Sequence, residues 1–239
     1  MSSRNSAVDS QRLAQSWQGI ARIIDHTNLR PDATPSHILR LCEEAREFGF
    51  GSVMINPCYV ELSCSRLRGS PVKVGAVVGF PLGATLTSVK VFEAAEAMKL
   101  GAREIDMVMN IGALKGSERE LVLADIRAVV DLVHAQAGLV KVILETGLLT
   151  DEEKVQACEL SESAGADFVK TSTGFLGGVA TVEDVALMRR AVKIGVKASG
   201  GIRTASDARA MIEAGANRLG TSSGVSIIRE LRGHASGKQ

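Results

Sequence analysis

The feature that constrains the fold most is a regular alternation of two kinds of segment along the chain. Short runs rich in β-branched residues alternate with longer segments whose apolar residues recur at helical spacing. The short runs predict buried parallel strands at residues 20–25, 52–56, 72–79, 104–110, 140–145, 167–170, 195–198 and 218–221. Eight such units within 239 residues match a single α/β domain of the (β/α)8 type, the TIM barrel, better than a doubly wound sheet.

The barrel is predicted to span residues 20–232. A tail with a short N-terminal helical extension precedes it at residues 1–19, and a second tail follows at 233–239. Threonines that suit a helix cap mark predicted helix starts, namely Thr34, Thr150, Thr181 and Thr204. A recurring Ala/Leu-Gly-Ala sequence predicts the return from helix to strand, at Gly101, Gly165 and Gly215.

The charge balance and cysteine content exclude several classes of protein. Lys and Arg number 28 against 27 Asp and Glu, so no net field attracts nucleic acid or an anionic membrane. The four cysteines show no C-x-x-C spacing, and no His pair has the spacing of metal ligands. No apolar run approaches the ~18 residues of a membrane span. These features predict a soluble, cytoplasmic protein with no metal, no nucleic-acid partner and no membrane contact.

Two lysines fall at the ends of neighbouring predicted strands. Lys170 ends the sixth strand and Lys197 the seventh, whereas Lys73 and Lys141 come early in their strands. The carboxyl ends of barrel strands hold the active site, so Lys170 and Lys197 are candidates for catalysis. Neighbouring cations disfavour each other's protonation, which would give a free amine able to attack a carbonyl. Alternatively, one of the two points outward and pairs with a carboxylate.

Carboxylates near these strands are candidate partners for the lysines. Asp106 lies in an otherwise apolar strand, where it would relay protons or else form a structural ion pair in the inner layer. Asp25, with Thr27, closes the first predicted strand and is a candidate neighbour of the site, or else a cap or turn residue. Glu145 closes the fifth predicted strand and is a similar candidate.

Glycine- and serine-containing turns follow the last two predicted strands and predict a phosphate site. Barrels commonly bind phosphate there, because glycines permit close approach and a helix start offers free N–H groups. The alternative is two ordinary tight turns, and Arg203 would then be a solvated residue at a helix start. The candidate binding residues are Thr173, Gly174, Gly200, Gly201, Arg203, Ser222 and Ser223.

Five motifs together resemble the deoxyribose-phosphate aldolase family, whose members are class I aldolases that form a Schiff base without metal. They are Ile-Asp-His-Thr at 24–27, Val-Val-Gly-Phe-Pro-Leu-Gly at 77–83, Glu-Ile-Asp-Met-Val at 104–108, Val-Lys-Thr-Ser-Thr-Gly at 169–174 and Val-Lys-Ala-Ser-Gly-Gly-Ile-Arg at 196–203. The resemblance extends from about residue 23 to residue 228.

The resemblance implies a division of labour that the residues alone left open. It implies that Lys170 forms the Schiff base, that Lys197 lowers the pKa of Lys170 and joins in proton transfer, and that Asp106 donates or accepts protons. It further implies reversible cleavage of 2-deoxy-D-ribose 5-phosphate to D-glyceraldehyde 3-phosphate and acetaldehyde, in deoxyribonucleoside catabolism, by a homo-oligomer expected to be a dimer.

The chain departs from the family pattern at several positions, and other functions stay open. Asn28 and Arg30 replace the usual Leu and Lys, and Met54 stands where many relatives carry Cys. The tail at 233–239 lacks the Tyr that some members carry. The competing hypotheses are another phosphate-binding barrel enzyme, and a non-catalytic barrel that binds a sugar phosphate.

Overall fold

The computed structural model describes residues 16–236, and within them eight parallel strands close into a barrel in chain order. Each strand pairs with the next along the chain, and the first pairs with the eighth to complete the closure. Helices lie between the strands, so the architecture is the predicted single (β/α)8 TIM barrel.

The helices and strands follow one another in chain order. They are α1 (Trp17–Arg22), β1 (Ile24–Asn28), α2 (Pro35–Phe48), β2 (Ser52–Ile55), α3 (Val60–Arg66), β3 (Lys73–Val78), α4 (Thr87–Lys99), β4 (Glu104–Val108), α5 (Ile111–Lys115), α6 (Arg119–His134), β5 (Leu139–Ile143), α7 (Asp151–Ser163), β6 (Phe168–Lys170), α8 (Val182–Ala191), β7 (Gly195–Ser199), α9 (Ala205–Glu213), β8 (Arg218–Thr221) and α10 (Gly224–Ser236). Single turns of 3-10 helix occur at Pro57–Tyr59 and Thr146–Leu148.

The first strand differs from its prediction. Residues 20–22, predicted as strand, belong to α1, whose start is capped by the Ser16 side chain accepting from the Gly19 N–H. A short apolar run suits a buried helix turn as well as a strand, and Ile20 and Ala21 are buried on α1. Asp25 is therefore the second residue of β1 instead of its last, which places its side chain inside the barrel rather than at the rim.

The predicted helix starts are confirmed by the caps that the threonines form. Thr150 and Thr204 build reciprocal capping boxes with Glu153 and Asp207, and the Thr181 hydroxyl accepts from the backbone of the residue three places on. At the other end of the chain, α10 continues to Ser236, four residues beyond 232, and residues 1–15 and 237–239 lie outside the described part.

The outer helices bury their apolar faces against the strands in one continuous core. Along α6, for example, Val122, Ile126, Val129 and Val133 are fully buried against β5 and the neighbouring helices. None of the helices between residues 16 and 236 combines the length and the apolarity that crossing a bilayer requires.

Candidate active site

The carboxylate of Asp106 lies at the centre of a ring of buried cations inside the barrel. Asp106 is fully buried on β4, and its Oδ1 lies 2.9 Å from the Nζ of Lys141, its partner in register on β5. Its Oδ2 accepts from Lys170 Nζ at 3.0 Å and from Lys197 Nζ at 2.7 Å. Both lysines point inward, so the alternative in which one faces a helix does not occur.

Two further carboxylates close the network on its other side. Asp25 Oδ2 accepts from Lys197 Nζ, and Asp25 Oδ1 accepts from Ser52 Oγ at 2.7 Å and from Arg218 Nε at 2.8 Å. Glu104 Oε2 accepts from Lys141 Nζ at 2.7 Å, and both Glu104 oxygens lie 2.9 Å from Arg218 Nη2. The first-strand carboxylate is thus an ion-pair partner of Lys197 rather than a turn or cap residue.

Cations outnumber carboxylates by one in this network of described residues, and Lys170 is the cation held least firmly. Lys197 contacts both Asp25 and Asp106, whereas Lys170 contacts Asp106 alone. Burial lowers the pKa of Lys170, Asp106 partly opposes it, and the positive charge of Lys197 lowers it further, to about 8. Burial is the larger cause, so the lysine–lysine repulsion expected from the sequence is a secondary contribution.

Asp106, Arg218 and Lys141 have pKa values shifted in the direction that favours their charged forms. Burial acts to raise the pKa of Asp106, but the surrounding ammonium groups, Lys141 first among them, hold it well below the usual range of a carboxyl. Burial acts to lower the pKa of Arg218, and the attraction of Asp25 and Glu104 raises it instead. The same balance, with Asp106 and Glu104 as the partners, raises the pKa of Lys141. Lys170 is therefore the amine that becomes free near neutral pH.

A pocket of about 620 Å³ opens above this network at the carboxyl ends of β1, β6, β7 and β8. Lys170, Lys197 and Asp106 are not among its lining residues, but Gly220, which lines the pocket, lies against Lys197. A Cβ at position 220 would lie 3.0 Å from Lys197 Cε and 2.7 Å from Ser199 Oγ. A side chain at position 220 would therefore require Ser199 or Lys197 to move.

Most of the predicted phosphate residues line this pocket. They are Thr173, Gly174, Gly200, Gly201, Arg203 and Ser222, and Thr27 lines it as well. Ser223 does not line the pocket; it is half-buried, and its N–H donates to Thr221 Oγ1 at 2.9 Å. Gly200 and Gly201 adopt φ values of +97° and +77°, which side chains other than glycine rarely adopt.

One expectation about this phosphate site is wrong. The start of α9 does not offer free N–H groups at Arg203 and Thr204, because both donate to Asp207 Oδ2, at 2.9 and 3.0 Å. The capping box that starts the helix thus satisfies the donors that an anion would otherwise find. The glycine turn itself, the Arg203 side chain and the turn after β8 are left to hold an anion.

Sequence reasoning missed three members of the network, namely Glu104, Lys141 and Arg218. The position of Lys141 early in its predicted strand indicates a place remote from the chemistry, yet Lys141 is fully buried against Asp106. A signal was present, because Glu104 and Asp106 are two residues apart in a strand and must share a face. Among residues 16–236, no group of three or more His, Cys, Asp or Glu side chains is arranged to hold a metal ion.

A closed (β/α)8 barrel with a buried lysine–carboxylate network beneath a pocket at the strand ends defines this chain as a barrel enzyme. The profile of the DeoC/LacD family aldolases matches residues 20–234, and the chain belongs to this family. It is therefore an aldolase, a lyase that acts on carbon–carbon bonds.

Individual relatives agree with this assignment. The deoxyribose-phosphate aldolase of Thermoanaerobacter sp. (strain X514) is 60% identical over 214 residues, which cover 88% of this chain and 96% of the relative. That of Listeria welshimeri is 60% identical over 211 residues, covering 87% and 94%. Among solved structures, the tetrameric deoxyribose phosphate aldolase of Aeropyrum pernix has a TM-score of 0.87 at 34% identity, covering 97% of this chain and 99% of that one.

Proposed function

We propose that the chain cleaves 2-deoxy-D-ribose 5-phosphate reversibly to D-glyceraldehyde 3-phosphate and acetaldehyde through a Schiff base on Lys170, in deoxyribonucleoside catabolism. The observation that carries the proposal is the state of Lys170, which is buried, held by one shared carboxylate oxygen, and lowered in pKa to about 8. The names of the relatives that are about 60% identical supply the substrate.

The depressed pKa matters because only the free amine attacks a carbonyl. At pH 7 a lysine with a pKa of about 8 is roughly one-tenth deprotonated, whereas at the ordinary 10.5 it is deprotonated roughly once in three thousand. The buried network therefore increases the concentration of nucleophile by more than two orders of magnitude.

The reaction divides into steps that this amine supports. Lys170 Nζ adds to the C1 aldehyde of the open-chain sugar, and loss of water gives a protonated imine. Removal of the proton from the 3-hydroxyl breaks the C2–C3 bond, which releases glyceraldehyde 3-phosphate and leaves the electron pair in an enamine. Protonation of the enamine carbon and hydrolysis of the imine then release acetaldehyde and restore the amine.

Asp106 and Lys197 are the proposed proton carriers in these steps. Asp106 Oδ2 contacts both amines, so a proton can pass among the three groups without a change of fold. The charge of Lys197 also lowers the pKa of Lys170, more than that of Lys141 does, and so supports the free amine. Because the imine itself activates the bond that breaks, we propose that the reaction needs no metal or other cofactor.

The pocket residues are the proposed phosphate site. Gly200, Gly201 and Arg203 follow β7 and line the pocket, as Ser222 does after β8. Thr173 and Gly174 bring the loop after β6 against the same volume. Ser223 completes the proposed set through the turn that it shares with Ser222, and Thr27 and Asp25 support the site from β1.

We also propose that copies of the chain associate, with a dimer as the expected state, and that the enzyme works in the cytoplasm. Leu86, Val89 and Phe92 expose 71, 46 and 68% of their surface around α4, an apolar patch that a second copy would cover. All four cysteines are free thiols, as a reducing compartment favours. Light scattering on wild-type and Phe92→Asp protein tests the association.

The decisive experiment is reductive trapping. Borohydride added with acetaldehyde should leave a two-carbon adduct on Lys170, found by peptide mass spectrometry, and the Lys170→Ala variant should give none. A coupled assay for deoxyribose 5-phosphate cleavage, run with and without EDTA, measures substrate and metal dependence together. An adduct that persists in Lys170→Ala, or wild-type protein that binds the sugar phosphate without turnover, would contradict the proposal.

A further inference from the structure

Glu145 is a buried carboxylate outside the ionic network, two residues after the end of β5. It is fully buried, and its φ of +56° lies in the left-handed region that residues other than glycine rarely adopt. Within residues 16–236 it forms no ion pair. Its Oε2 instead accepts from the backbone N–H of Thr173 at 3.0 Å and from the Thr173 hydroxyl at 2.5 Å.

These hydrogen bonds extend from Glu145 into the wall of the pocket. The Thr173 hydroxyl donates to Glu145 and accepts from the N–H of Phe175 at 3.1 Å. Thr173, Gly174 and Phe175 all line the pocket. One carboxylate thus fixes the direction in which the chain leaves the strand that carries Lys170.

The second oxygen of Glu145 faces the remainder of this loop. Oε1 is buried without a hydrogen-bond partner, and a Cβ at Gly178 would come within 2.7 Å of it. Gly178 in turn lies against the phosphate turn, where its carbonyl would be 3.2 Å from a Cβ at Gly200. The N–H of Ala180 donates to the Gly200 carbonyl at 3.0 Å. The segment 173–180 therefore lies between Glu145 and Gly200.

We propose that Glu145 is a positioning residue that sets the preference of the enzyme for phosphorylated substrates, by holding segment 173–180 against the glycine turn after β7. The inference rests on the proposed function and adds a determinant of its specificity. The physical basis is that a buried carboxylate needs its donors, so Thr173 and the chain beyond it are fixed by the cost of leaving those oxygens unpaired.

The proposal separates two parts of the site. Glu145 shares no hydrogen bond or ion pair with Lys170, Lys197 or Asp106, so its loss leaves the ionic network and the chemistry on Lys170 in place. Its loss frees the segment that lies against the phosphate turn. Phosphate recognition should weaken while the chemical steps continue, which a purely structural role would not produce.

The test compares substrates with and without phosphate. In Glu145→Ala we expect the KM for deoxyribose 5-phosphate to rise ~10-fold or more, with kcat/KM for unphosphorylated 2-deoxyribose within about twofold of wild type. Inorganic phosphate, used as a competitive inhibitor, should bind more weakly by a similar factor. Thr173→Val removes the donor instead of the acceptor and should shift the same constants, while Glu152→Gln, on the exposed surface of α7, should shift none.

Each other outcome counts against the proposal. Equal losses on both substrates with a lower Tm would mean that Glu145 only supports the fold. An altered pH profile for 2-deoxyribose would place it in the chemistry. If the wild-type enzyme fails to cleave deoxyribose 5-phosphate, the proposed function fails, yet direct titration of the variants with inorganic phosphate still tests whether Glu145 governs the anion site.

Discussion

Lys170 and Lys197 stand opposite each other in register on β6 and β7, and both ammonium groups donate to the same oxygen, Oδ2 of Asp106. The pair is not symmetric, because Lys197 also contacts Asp25 whereas Lys170 has no second carboxylate. Lys170 therefore has one carboxylate fewer to stabilise its protonated form, and burial, the main cause, lowers its pKa to about 8.

The pH dependence of cleavage should follow the ionisation of Lys170. Its pKa is lowered to about 8, mainly by burial, and the reactive form is the deprotonated one. We therefore expect kcat/KM for deoxyribose 5-phosphate to rise with pH up to about 8 and to level off above it. Initial rates between pH 5.5 and 10 measure this rise. A midpoint near 10.5 would show that burial does not lower the pKa of Lys170.

Removal of Lys197 should move the midpoint of this pH dependence to higher pH. In Lys197→Met a cation that lowers the pKa of Lys170 is lost, and Asp106 is left to stabilise the protonated form of Lys170. Each unit by which the pKa of Lys170 rises lowers the concentration of the free amine at pH 7 about tenfold. The rate of borohydride trapping with acetaldehyde, followed against pH, reports the shift directly. An unmoved midpoint would mean that Lys197 acts only in proton transfer.

Asp106→Asn should move the midpoint of the pH dependence to lower pH and should also slow the reaction. The carboxylate raises the pKa of Lys170, so its loss makes the amine easier to deprotonate. The midpoint of the pH dependence should therefore fall below 8. The proton relay is lost at the same time, and kcat should drop by about 10² to 10⁴. A lower midpoint combined with a lower plateau identifies the double role, whereas an unchanged plateau would remove Asp106 from the proton path.

Gly220→Ala tests how closely the pocket wall approaches the network. The new Cβ would meet Ser199 Oγ at 2.7 Å and Lys197 Cε at 3.0 Å, so one of these side chains has to move. We expect kcat to fall at least about tenfold with little loss of fold, since displacement of a catalytic group is costly. Gly112→Ala, on α5, is the matched control and should keep full activity, because its Cβ would make only an ordinary contact, 3.7 Å from Asn110 Oδ1.

The sequence predicts the barrel because every level of pattern agrees on it. Hydroxyl caps such as Thr150 and Thr204 and the apolar strands each specify local structure, and apart from the displaced first strand the structure has them close to where the sequence predicts them. The charge network is harder to predict, because it depends on which strands meet across the barrel. Asp25 and Arg218 are 193 residues apart and meet only through closure of β1 on β8.

Sequence patterns do not assign the separate roles of Lys170 and Lys197 within the network, for a related reason. Lys170 and Lys197 are register partners on β6 and β7, so spacing alone does not distinguish them. What distinguishes them is the contact of Lys197 with Asp25, which follows from the register of β1. The displaced prediction of the first strand put Asp25 at the rim and concealed this contact.

Arg218→Met should destabilise the barrel more than any loss of a surface charge. Arg218 is the cation that both Asp25 and Glu104 contact at the start of β8, and its removal leaves these buried carboxylates short of a partner. Breaking a buried ion pair from one side costs about 3–5 kcal/mol in the free energy of unfolding.

Two comparison variants separate charge from position. Arg218→Lys cannot contact both carboxylates with one planar group, but it keeps the positive charge. Its free energy of unfolding should therefore fall less than that of Arg218→Met. Arg209→Met, exposed on α9, should stay within about 0.5 kcal/mol of wild type. Urea unfolding of the three variants at pH 7 gives the comparison, and equal values for Arg218→Met and Arg209→Met would show that Arg218 is not needed to balance these carboxylates.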